Sequence, residues 1–160
     1  VSWYEAVSFT DRLSEYTGHQ YRLPTESEWE WACRAGSQSA FYFGASPAGL
    51  LDHGWYSLNA LSAGERFGHV AGMKRPNRWG LYDLHGNVAE WCLDWYGPYP
   101  AEIETDPIGP DTGVRKVLRG GSYASFANDC RCAARDAIEP SAAYHMVGFR
   151  VVRIPDSSDR

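Results

Sequence analysis

The chain has 160 residues, enough for one domain that buries roughly 70% of the surface its unfolded form exposes. Hydrophobic residues make up 44% and aromatic residues 14%, with seven Trp and ten Tyr, which excludes a disordered chain. A net charge of −5 without a basic cluster argues against nucleic acid and anionic membrane surfaces, and no apolar run approaches the ~20 residues of a membrane span.

In chain order, Ser2 followed by Glu5 has the spacing of a capping box, and Trp3, Ala6, Val7 and Leu13 recur at helical intervals. A helix is predicted from there to Gly18. Tyr21, Arg22 and Leu23 form a short extended stretch that Pro24 stops. Thr25 with Glu28 sets a second capping box, opening a helix through Trp29 and Ala32 to Gly36. Residues 37–77 lose all periodicity but carry Phe41, Tyr42, Phe43, Trp55 and Tyr56, so they read as a long ordered loop. Such loops hold function or need a staple such as a metal or a disulfide. Strands are predicted over 114–118, 131–135 and 147–152. The reading is an α+β domain over 1–160 with two short helices, short antiparallel strands and much irregular chain. The first residues lack the basic start and apolar stretch of a signal peptide. Without an initiator Met, the natural N-terminus is expected to precede Val1.

Asp83 and Glu90 lie seven residues apart around a Gly86-Asn87 turn. Two carboxylates and exposed turn carbonyls suit a hard cation such as Ca²⁺. Spacing alone favours the plainer alternative, a turn with two solvated acids. His19, His53, His69, His85 and His145 show no paired helical spacing, so each is expected at the surface or in a hydrogen bond. Arg131, Arg135 and Arg150 alternate with apolar residues and should pair with loop carboxylates. Cys130 and Cys132 stand two apart on a predicted strand, which would place them on one side. That permits a two-thiol site, though disulfides are the stronger expectation. Four cysteines allow three complete pairings, and the sequence does not choose among them. No Ser-His-Asp set, P-loop or dinucleotide fingerprint occurs.

The ordered series Arg22-Leu23-Pro24-Thr25-Glu26-Ser27-Glu28-Trp29-Glu30, Gly80-Leu81-Tyr82-Asp83, Gly86-Asn87-Val88 with Glu90-Trp91, Arg119-Gly120-Gly121-Ser122-Tyr123 and Gly148-Phe149-Arg150 closely resembles the formylglycine-generating enzyme, or sulfatase-modifying factor, family. The resemblance covers about residues 1–153. It implies a loop-rich variant of the C-type-lectin fold, here without the family's N-terminal strand-bearing portion. It also implies a calcium site from the positions matching Asp83, Gly86, Val88 and Glu90, while residues 52–73 give no match for the family's second calcium site. The family's oxidases use copper held by two cysteines just after the Gly-Gly-Ser motif, and thiolates are the soft ligands Cu(I) prefers. Here Ser125 stands at the first of those positions, and Cys130 falls at the distance of the second. A hydroxyl cannot replace a thiolate toward Cu(I), so copper is not expected and Cys130 is the one catalytic candidate. Cys33 and Cys132 match positions that are disulfide-bonded in vertebrate members. That pair is the implied bridge, with an extracytoplasmic setting if it forms.

The stretch between Gly121 and Gly148 also resembles the variable proteins of diversity-generating retroelements, which display a lectin-fold binding surface from this part of the chain. By that analogy Ser122, Tyr123, Ser125, Phe126, Asn128, Tyr144 and His145 form the ligand-binding set, with segments 123–128 and 142–146 sharing one rim. Three functions are in play. The first is a calcium-stabilised binding module for a protein or small-molecule ligand. The second is an oxygen-dependent oxidase or oxygenase acting on a thiol, peptide or siderophore-like substrate. The third is a retroelement-diversified receptor. The missing first cysteine favours binding.

Overall fold

The structure is a computed structural model that describes residues 1–99, 101–102 and 104–155. Both capping boxes form. In α1 (Trp3–Thr17) the Ser2 hydroxyl accepts from the Glu5 amide, and the Glu5 carboxylate accepts from the Ser2 amide at 2.7 Å. Gly18 ends it in the left-handed region at φ 73°. After β1 (Gln20–Arg22), α2 (Glu26–Arg34) is closed in the same way by Thr25 and Glu28, and ends at Ala35, one residue before the expected glycine. The long loop contains α3 (Leu50–His53) and two short 3-10 turns. Five strands follow: β2 (Ala89–Trp95), β3 (Lys116–Arg119), β4 (Arg135–Ile138), β5 (Val147–Gly148) and β6 (Val152–Ile154). No helix is long and apolar enough to cross a membrane among the described residues.

The main sheet runs β4-β3-β2-β5, with β2–β3 and β3–β4 antiparallel and β2–β5 parallel; β1 and β6 form a separate antiparallel pair. Alternation along β2 and β3 divides the core. Ala89, Trp91 and Leu118 pack with Ala6, Trp3 and Val7 of α1, whereas Cys92 and Val117 pack with Trp29 and Cys33 of α2. Trp29 and Trp91 are each almost wholly buried. Each removes roughly 200 Å² from water, about 5 kcal/mol apiece before entropy is counted.

Three expectations change. No strand covers 131–135: the Cys132 amide donates to Ala40 O in the long loop, the Ala134 amide turns back to Arg131 O, and β4 starts only at Arg135. Cys130 and Cys132 therefore do not share a side. Cys130 packs with Phe41, Leu50 and Tyr56, and Cys132 with Trp29 and Cys33. The predicted strand over 147–152 divides into β5 and β6, which join different sheets. The long loop is ordered, as its aromatic content implied, and ring stacking holds it: Tyr42 on His85 at 4.5 Å, Phe43 on His53 at 4.4 Å and Trp55 on His69 at 3.8 Å.

Candidate functional site

The turn before β2 is tightly constrained. Asp83 and Asn87 adopt left-handed φ of 60° and 68°, and a Cβ at Gly86 would lie 2.0 Å from Trp55 O, so only glycine fits. Asn87 clips the long loop to the turn: its Oδ1 accepts from the His69 amide at 2.7 Å and its Nδ2 donates to His69 O at 3.2 Å. Neither acid of this motif is solvated. Asp83 Oδ2 accepts from the Gly72 amide at 2.8 Å, while its buried Oδ1 meets no hydrogen-bond donor among the described residues. Glu90 accepts from Trp29 Nε1 at 2.6 Å and from the Arg150 guanidinium at 2.5 and 2.7 Å. Those bonds use three of the roughly four lone-pair sites of its carboxylate. An orphaned carboxylate oxygen on Asp83 and a spare acceptor site on Glu90 are the donor chemistry that suits a hard cation.

The second region is built on Gly120 and Gly121, both left-handed, at φ 92° and 71°. A Cβ at Gly121 would lie 2.8 Å from Cys130 Sγ and 3.3 Å from Ser125 Cβ, so Cys130 and Ser125 flank the same glycine. The Ser125 hydroxyl accepts from the Ser122 amide at 2.9 Å and lies 3.2 Å from the Ser122 hydroxyl. Burial, with Asp129 nearby, pushes the Cys130 thiol up to about 12. A soft two-thiolate copper centre does not fit this pair of residues.

Ser122, Ser125, Tyr144 and Met146 line one cavity of about 600 Å³, together with Asp136 and Ile138. The other members of the expected ligand set lie differently. Tyr123 is 1% exposed, and its hydroxyl donates to Arg66 O, so it is scaffold rather than surface. Its ring centroid is 6.1 Å from that of His145, which is exposed. Phe126 is 74% exposed, and the exposed Asn128 offers its carbonyl to Arg131 Nε. The arginines choose partners other than loop acids. Arg135 pairs with Glu26 on α2 at 2.6 Å, Arg150 with Glu90 on β2 and Arg131 with a carbonyl. A larger cavity of about 850 Å³, which the sequence did not suggest, lies between α2 and the segments 97–99 and 104–110, with Trp31, Asp94 and Tyr99 in its wall.

A third cluster draws on α2, the turn before β2 and the turn before β4. Cys33 and Cys132 are free thiols with sulfurs 3.6 Å apart, and His85 completes a fully buried group. Burial drives the Cys33 thiol up, and the hydrogen bond it donates pulls Cys132 down. Cys92 is buried in the same core cluster, packed with Cys33 of α2, but is not one of the converging ligand atoms, and burial raises its thiol as well. The sequence offered no reason to add His85 to the cysteine pair, because the spacing of the three residues is not that of a metal motif.

Residues 1–155 match the sulfatase-modifying factor enzyme 1-like domain. The chain is 39% identical over 173 residues to a formylglycine-generating enzyme of Streptomyces coelicolor; the match covers 98% of this chain and 52% of that enzyme, so the chain spans about half the relative's length. Among solved structures it resembles Treponema denticola variable protein 1, with a TM-score of 0.87 and 30% identity over 94% of this chain and 68% of that one. It also resembles PvdO from Pseudomonas aeruginosa, with a TM-score of 0.84 and 28% identity over 96% of this chain and 60% of that one. The fold is thus the loop-rich, C-type-lectin-like α+β fold that the motifs implied. By the match over nearly its whole length, the chain belongs to the sulfatase-modifying factor enzyme 1-like family, that of the formylglycine-generating enzymes.

Proposed function

We propose that this domain is a ligand-binding module stabilised by calcium, without the copper oxidase chemistry of its enzymatic relatives. One observation carries the reading: Ser125 and Cys130 approach the same side of Gly121, the Ser125 hydroxyl engaged by Ser122, where copper chemistry would need a second thiolate. The ligand, a protein or a small molecule, would enter the cavity that Ser122, Ser125 and Tyr144 line. Asp83 and Glu90 would supply carboxylate oxygens to the calcium, with the carbonyls of Gly86 and Val88. The ion would neutralise the buried oxygen of Asp83 that has no hydrogen-bond partner among the described residues.

The test is oxidation of a Cys-x-Pro-x-Arg sulfatase peptide with Cu(I) and O₂. No turnover is expected. A second reading, oxygen-dependent oxidation by Cys130, draws support from the 39% identity to a formylglycine-generating enzyme. Turnover that Cys130→Ser abolishes would establish that reading and overturn ours.

A further inference from the structure

We propose that Cys33, Cys132 and His85 form a buried site for one Cu(I) ion, separate from the ligand cavity and from the Ser125–Cys130 position. Their ligand atoms lie within 4.8 Å of one another, and all three residues are fully buried. Each comes from a different part of the fold: Cys33 from α2, His85 from the turn before β2 and Cys132 from the turn before β4. The sulfurs stand 3.6 Å apart. Two thiolates about 2.3 Å from one three-coordinate ion, at a trigonal angle of about 120°, would be about 4.0 Å apart, so the sulfurs need separate by only a few tenths of an ångström.

The imidazole is already oriented for ligation. His85 Nδ1 donates to Cys130 O at 2.7 Å, which fixes the proton on Nδ1 and leaves the Nε2 lone pair for a ligand. That is the outer-shell arrangement of metal-bound histidines. Nε2 now accepts from the Tyr42 amide at 3.1 Å, and the ion would take the place of that bond. Donor type and number select the metal. Two thiolates and an imidazole are soft ligands, and a sealed site offers three side chains where structural zinc takes four. Binding Cu(I) releases the thiol protons to solvent and transfers no electron. The single negative charge left on the two-thiolate complex is favoured by the positive charges of Arg119 and Arg150 acting on Cys33 and of Arg34 acting on Cys132. Because the site is closed, loading accompanies folding.

The experiment uses the whole chain, refolded anaerobically under reducing conditions with Cu(I), in competition with a chromogenic Cu(I) chelator. One equivalent should bind, with an X-ray absorption signature of two sulfurs and one nitrogen. Binding should survive Cys92→Ser and Cys130→Ser, and fall by at least about 100-fold in Cys33→Ser and Cys132→Ser. The X-ray absorption measurement on the unaltered chain keeps the test decisive if a cysteine variant fails to fold. No bound copper, copper lost in Cys130→Ser, zinc that Cu(I) cannot displace, or a Cys33–Cys132 disulfide in the natively isolated protein would each overturn the assignment.

Discussion

Glu90 takes hydrogen bonds from two side chains that lie far from it in sequence, Trp29 and Arg150, and so joins α2, β2 and the C-terminal segment at one carboxylate. Its side chain is 8% exposed and that of Arg150 24%, so the pair is only slightly screened. Glu90→Ala would leave a guanidinium and an indole N–H without their acceptor in a largely dry site. Removing one partner of such a pair costs about 3–5 kcal/mol when fully buried, and about 2–4 here because Arg150 is partly exposed. Urea unfolding measures it, and a loss under about 1 kcal/mol would show that water or a neighbour replaces the carboxylate. Lys116 illustrates the opposite case, a buried charge with no ion pair among the described residues. Its ammonium donates to Leu93 O at 2.6 Å and lies 4.2 and 3.9 Å from the Trp3 and Trp95 ring centres. The carbonyl and the two aromatic faces offset part of its desolvation, although burial still lowers its pKa.

At the scale of elements, the two helices were legible because their boundaries are written locally. Each capping box spans four consecutive residues and needs no tertiary contact to form. The box of α2 also carries an ion pair, Arg22 with Glu28 at 2.5 Å, whose hydrogen bonds hold the Glu28 carboxyl below its ordinary value. A carboxyl lowered in the folded state stabilises above its unfolded pKa of about 4.3, and that contribution is lost as pH falls through the folded value. Glu28→Gln should therefore flatten the fall in stability on acidification between about pH 5 and 3, read from urea midpoints across pH. An unchanged slope would dismiss the pair. Thr25→Ala should cost about 1 kcal/mol at neutral pH by removing the hydroxyl that accepts from the Glu28 amide. Strand β2 was not legible, because both of its faces are buried. Glu90 and Asp94 interrupt its apolar run, one meeting Arg150 and the other accepting from the Glu26 amide at the start of α2. The same limit applies to the site. The Asp83-to-Glu90 motif is contiguous and could be read, whereas the Cys33, His85 and Cys132 group exists only after three distant segments have folded together.

Over the whole molecule, the Asp83–Glu90 turn is where the irregular chain is tied to the sheet. Gly72 and His69 reach it from the long loop, Tyr123 donates its amide to Asn87 O, Trp29 arrives from α2 and Arg150 from the segment between β5 and β6. A cation bound at Asp83 and Glu90 would therefore act on the long loop, α2 and the C-terminal strands together rather than on one turn. A ligand held only by the native state stabilises it by RT ln(1 + [L]/Kd), about 2.7 kcal/mol at one hundred times Kd. Added Ca²⁺ should raise the melting temperature of the domain by several degrees. EDTA should lower it, and protection of the long-loop amides from hydrogen exchange should change in parallel. Asp83→Asn keeps a residue that tolerates the left-handed backbone and an oxygen able to accept from the Gly72 amide, but it removes one negative charge from the site. Its melting temperature should respond less to calcium than that of the unaltered chain, while the fold is retained. A melting temperature indifferent to both Ca²⁺ and EDTA would sink the calcium site. It would leave Asp83 Oδ1 to be explained by buried water, which needs at least one further polar partner at that point.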